Sequence, residues 1–219
     1  MNMLSATLAA AAVLASGVSA GAASLDYVGA KYGGYQTVNT SLVGNVLAGE
    51  FHMRNLDTGE DLFAYCIDLY DYLYSGVSKY DVKSIGATVL NALQGLYTNH
   101  YAQVTDRTSS AAFQLAVWEI FYEGESAGTY SLSDGSFESN SATNGTAWNK
   151  AQAWLGDLAY SRAAYTLSFW DGSTDDGDND HVSQDLVSAE LAPVPLPASA
   201  LLILSGIGAI GALRRRSRA

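Results

Sequence analysis

The chain has one cysteine, Cys66, in 219 residues. A single thiol excludes an intrachain disulfide framework, so it is buried, paired between chains, or reactive. Proline is equally scarce. All three fall at Pro193, Pro195 and Pro197, so none interrupts an element before them. The three histidines, His52, His100 and His181, lack metal-site spacing. No Ser-His-Asp arrangement and no Gly-rich phosphate loop is present, and nothing points to a cofactor. A cysteine hydrolase pairing Cys66 with a histidine has no local signature. Basic residues are few. Four of the 11 lie in the final six positions, leaving seven in the body against 22 acidic residues, a formal charge of −15. Such a body repels phosphate backbones, which argues against a nucleic-acid partner.

What is present supports one ordinary domain with a real core: 48% of residues are hydrophobic and 14 are tyrosine. Residues 1–20 read as a signal peptide. Met3–Val18 is short, apolar and Ala-rich, and Val18-Ser19-Ala20 is a small-x-small cleavage pattern, with sites after Ala22 or Ala23 as alternatives. The segment before it carries no Lys or Arg, a departure from the usual signal. Residues 21–192 form the body. Residues 193–219 hold the prolines, an apolar run from Leu196 to Leu213, then Arg214, Arg215, Arg216 and Arg218. That run sits at the short end of a membrane span, with its arginines on the cytoplasmic side.

In the body, Ser24–Ala30, Thr40–Arg54 and Asp61–Leu69 read as strands, the last two joined by the turn-rich Asn55–Glu60. Tyr70–Tyr80 reads as a loop or broken strand. Ile85–Tyr101 reads as a helix, as does the segment from a cap at Asp106, Thr108 or Ser109 to about Tyr122. Thr129–Phe137 alternates as a strand would, Thr146–Tyr160 reads as a third helix, and Ala163–Trp170 and His181–Leu191 read as strands. The fold class expected is α+β: strands at both ends of one domain, a helical middle, and a C-terminal transmembrane helix.

Ala111–Ile120 is the most informative decade. Phe113, Val117, Ile120 and Phe121 fall at helical spacing, and Leu115 and Trp118 widen the apolar face. Gln114 sits inside it, where an amide must find a partner or cost stability. Cys66 follows Phe63–Tyr65 on a strand, 48 positions earlier. A thiolate can attack a glutamine carboxamide and expel ammonia, storing an acyl group as a Cys66–Gln114 thioester. The bland alternative makes Cys66 a small buried hydrophobe and Gln114 a hydrogen-bonded core amide. On the thioester reading, replacing Gln114 by Ala is expected to abolish the bond while the domain stays folded, at little cost beyond packing.

Two resemblances extend these readings. Val194-Pro195-Leu196-Pro197-Ala198, the apolar run and the arginine end together resemble a PEP-CTERM sorting signal of the Val-Pro-Leu-Pro-Ala type. This implies recognition by an exosortase-type membrane protease, a transient membrane anchor, and then a cell-surface or extracellular location. Tyr65-Cys66-Ile67-Asp68 and Gln114-Leu115-Ala116-Val117-Trp118 resemble the thioester domains of bacterial surface adhesins, over 44–125 or the whole body. Phe113 stands where that family has Thr, and Val117 where it has Ile. The resemblance implies a Cys66–Gln114 bond that reacts once with an amine- or hydroxyl-bearing surface protein or glycan, rather than catalysis. The alternative function is a non-reactive structural or binding module of the cell surface or biofilm matrix. A thioester needs a dry pocket, for which Tyr65, Tyr70, Phe113, Trp118 and Phe121 are candidates, with Asp68 and Glu119 available to handle protons.

Asp171, Asp175, Asp176, Asp178 and Asp180 form an acidic, Gly-containing stretch. No Glu occupies the twelfth position from Asp171 or Asp176, so EF-hand spacing fails and a solvated acidic loop is expected, with no metal bound.

Overall fold

The computed structural model describes residues 22–126, 129–172 and 182–193. The expected signal peptide, most of the acidic stretch, and the sorting segment with its membrane helix lie outside these residues. Among the described residues no helix is long and apolar enough to cross a membrane.

Six strands come first: β1 (Ala23–Ala30), β2 (Gln36–Thr40), β3 (Gly44–Ala48), β4 (Phe51–Asn55), β5 (Asp61–Cys66) and β6 (Val77–Val82). Three helices follow, α1 (Ala87–His100), α2 (Arg107–Glu123) and α3 (Ser141–Leu155), and then β7 (Tyr165–Asp171) and β8 (Leu186–Leu191). The fold is mixed α and β, in the order strands, helices, strands. Six strands close into an antiparallel barrel in the order β1-β4-β5-β8-β7-β6, and β2 and β3 form a separate ribbon.

The expected hairpin carrying Cys66 is β4–β5, paired from Phe51↔Ala64 to Arg54↔Asp61. Its turn is set by Asn55, whose Oδ1 accepts the N–H groups of Asp57 (2.9 Å) and Thr58 (3.2 Å). The single strand expected over 40–54 is instead cut twice. Gly44 (φ 76°) turns the ribbon, and Gly49 (φ 150°) redirects the chain before β4. At Gly49 a Cβ would lie 3.0 Å from the Tyr35 ring, so the glycine also permits close packing.

The strand expected over 129–137 is absent. Leu132 and Phe137 are both buried although strand alternation would send them to opposite faces, because the backbone turns between them. Carboxylates of α2 take three of its N–H groups: Glu119 Oε1 accepts from Ser131 (2.6 Å), and Glu123 Oε1 accepts from Ser136 and from Phe137 (3.1 Å). The Leu132 N–H donates to Gln152 Oε1 of α3 (2.9 Å). A kink at Gly145 (φ 34°) divides α3. A short turn from Ser141, capped by Asn140, whose Oδ1 accepts from Ala142 N–H (2.9 Å), precedes the expected helix from Thr146, which ends before Gly156 rather than at Tyr160.

Helix α2 is the hub. Its cap is Asp106, in a reciprocal box with Ser109, and every residue from Ser109 to Ile120 is buried. A helix buried all round lies inside a core. It packs against α1, α3, β5 and the β2–β3 ribbon. Ser110 Oγ accepts the Glu50 N–H (2.8 Å), tying the Gly49-Glu50 connection to α2. Glu50 is itself buried, with Lys31 Nζ at 3.0 Å and the Tyr101 hydroxyl on its other oxygen.

Candidate functional site

Cys66 ends β5 and pairs with Leu186 of β8, and the next N–H, of Ile67, donates to Asp185 O (2.9 Å). Successive residues of a strand point their N–H and C=O to alternate edges. The N–H and C=O of Cys66 therefore face the edge on the β4 side. No strand reaches them there, because β4 begins at Phe51, opposite Ala64. The Gln114 carboxamide fills that place. Its Oε1 accepts the Cys66 N–H (3.1 Å) and its Nε2 donates to the Cys66 carbonyl (2.7 Å). Both residues are buried. The amide behaves as one peptide group of a missing strand.

The sulfur is held by the turn that follows. Cys66 Sγ donates to Asp68 O (2.6 Å) and accepts from Asp68 N–H (3.2 Å). Burial pushes the thiol up to about 12. The Asp68 backbone bond and the Trp118 side chain favour the thiolate, and the Asp68 and Asp185 charges oppose it. Trp118 lies one turn along α2 from Gln114, on the same face. Its indole N–H is buried and makes no hydrogen bond of standard geometry among the described residues.

Cys66 and Trp118 open onto a cleft of about 490 Å³, shared with Tyr27, Tyr35, Tyr70 and Tyr72. Asp68, half-buried, accepts the Tyr70 N–H (2.8 Å) on Oδ1; burial raises its carboxyl pKa, and neighbouring Asp71 adds to the rise.

The aromatic residues expected around the pair divide. Trp118 and Tyr70 line the cleft. Tyr65 and Phe113 pack on each other, centroids 4.8 Å apart, and Phe113 also packs on Tyr97, Tyr101 and Trp154. Phe113, one of two departures from the adhesin pattern, thus belongs to the core. Phe121 lines a shallow depression with Ile85 and Val89 instead. Glu119 is also elsewhere. Five residues after Gln114, it leaves that helix face and holds Ser131. The sequence reading missed Tyr122, whose hydroxyl accepts the Leu69 N–H (2.7 Å) and so anchors the rim of the cleft. Its signal was spacing: 114, 118 and 122 form one row on a helix.

No histidine among the described residues meets the thiol. His52 pairs with Asp61 (3.0 Å), and His100 Nε2 bonds Asp157 O (2.9 Å). Among the described residues no group of three His, Cys, Asp or Glu could hold a metal. Compared with known proteins, the chain matches no family model, no curated protein and no solved structure.

Proposed function

We propose that this is an exported surface or matrix protein in which Cys66 and Gln114 condense to an internal thioester, the acyl donor for covalent attachment to a partner. One observation carries this reading: the buried Gln114 carboxamide docks on the backbone of the nucleophile's own residue, Cys66, which lines an open cleft. The Cys66 N–H already polarises Oε1, where negative charge would develop on attack. In the condensation Sγ bonds to Cδ of Gln114, the Cδ–Nε2 bond breaks, and the thiol proton leaves with the nitrogen as ammonia. A thiol pushed to about 12 gives little free thiolate. Attack is therefore coupled to proton transfer, and the fixed juxtaposition supplies most of the rate. An amine or hydroxyl entering the cleft then takes the acyl group. An amide or ester forms, the C–S bond breaks, and the acceptor's proton returns to Cys66. The donor is spent once, so the chain acts in a single turnover and is not a catalyst.

The terminal segments complete the proposal. A signal peptide delivers the body across the membrane, the C-terminal helix anchors it, and an exosortase-type membrane protease cuts near Val194–Ala198 to release it to the surface.

A non-reactive structural module is the second reading. It is favoured by one feature: thiol and carboxamide already have hydrogen-bond partners and need no reaction to be satisfied. Mass spectrometry of the purified protein separates the two. The expected result is a chain lighter by one ammonia, with methylamine adding at residue 114 and freeing the Cys66 thiol. Full sequence mass, no methylamine adduct and Gln at position 114 would overturn the thioester. Glu at position 114 would mean that the bond formed and was hydrolysed.

A further inference from the structure

We infer that the cleft over Cys66 is a binding site for a neutral glycan, a role that stands whether or not the thioester forms. At about 490 Å³ the cavity has the size of a small-ligand site. A stable protein interface would instead cover roughly 800 Å² on each partner. Its walls combine six aromatic rings with the aliphatic side chains of Val43, Val46, Leu47, Leu69 and Leu73, and its rim is exposed. Tyr72 is 89% and Tyr70 64% accessible, side by side on one loop, an unusual display for large rings. Ring faces of this kind pack against the C–H faces of sugar rings.

The polar groups fit the same ligand. Asn45, Gln184 and Asp71 reach the cleft. Amides offer both donors and acceptors, and a carboxylate accepts twice, which suits hydroxyls that donate and accept in turn. Asp71 is the only charged side chain among the described lining residues, and none is basic. Phosphate, sulfate and uronate groups would find no counter-charge there, and the acidic body repels them further. The ligand selected is hydroxyl-rich and uncharged.

The wall is also preformed. The Tyr27 and Tyr35 hydroxyls bond each other (2.9 Å), and the Tyr35 ring packs edge-on against Phe51, centroids 5.5 Å apart. The rim loop is pinned at its base by Leu69 N–H on Tyr122 and Tyr70 N–H on Asp68. A preformed site loses less entropy on binding.

The test uses the full chain carrying Cys66→Ala, which cannot form a thioester. It is applied to immobilised panels of neutral oligosaccharides, acidic oligosaccharides and peptides. Reversible binding to neutral saccharides is expected, weakened about tenfold by Tyr70→Ala or Tyr72→Ala, with the unfolding temperature unchanged. The proposal is overturned if no neutral saccharide binds, if acidic saccharides or peptides are preferred, or if neither tyrosine substitution matters. The two readings fail separately. Loss of ammonia without saccharide binding removes only the glycan site. Full mass with saccharide binding removes only the thioester.

Discussion

Gln114 takes the place of a neighbouring strand, and this changes what its removal should do. The sequence suggested that Gln114→Ala would cost little beyond packing. The structure assigns both polar ends of the side chain to the Cys66 backbone. An apolar residue there orphans a buried N–H and a buried C=O, each costing roughly 1–3 kcal/mol. In a Cys66→Ala background, where no bond can form, Gln114→Leu should therefore lower stability by at least one such increment in urea unfolding. A loss below about 0.5 kcal/mol would show that water or backbone movement satisfies Cys66 without the amide. At this scale much was legible. The isolated thiol, the polar residue inside an apolar helix, and Trp118 one turn on were all readable. The turn that grips the sulfur was not, because it is made by the Asp68 backbone and not by a side chain.

The elements show where one-dimensional patterns mislead. Alternation over 129–137 reads as a strand, yet the segment is none, and its turns bury both Leu132 and Phe137, which a strand would put on opposite faces. Four of its N–H groups are taken by side chains of α2 and α3, a partnership between side chain and backbone that periodicity cannot register. This latch carries a pH signature. Burial of Glu119, with Glu123 and Asp134 adding repulsion, raises its pKa from 4.5 to about 7, and the Ser131 N–H offsets part of the rise. A raised folded-state value means the native state holds the proton more tightly than the unfolded chain. The stabilisation is thus complete below pH 4.5 and is lost as pH rises through about 7. Glu119→Gln keeps the acceptor for Ser131 and removes the charge. Thermal unfolding should show the variant level with the wild type below pH 4.5 and more stable above about pH 7. A constant difference across that range would place the effect in packing. By contrast, α2 was legible almost to its ends, since an apolar run with an Asp cap admits few other structures.

The closed barrel was the least legible feature at the scale of the molecule. Strands β5 and β8 pair across more than a hundred residues, and no local pattern records such a partnership. Closure leaves its six strands without an open edge, a recognised protection against sheet-to-sheet aggregation. The export reading is tested at the same scale by fractionating cells that carry the wild type or a chain ending at Ala192. The wild type should reach the surface without Arg214–Arg218, and the shortened chain should be exported without passing through the membrane fraction. Retention of both in the cytoplasm, or permanent membrane residence with the arginines intact, would refute sorting. The β5–β8 pairing has one more result, and it concerns timing. Leu186 and Asp185 flank Cys66, and they are among the last described residues to emerge during synthesis. Pairings between such distant segments form slowly. On the proposed export route, a chain still crossing the membrane would therefore carry Cys66 unprimed, and the site would assemble only as delivery ends.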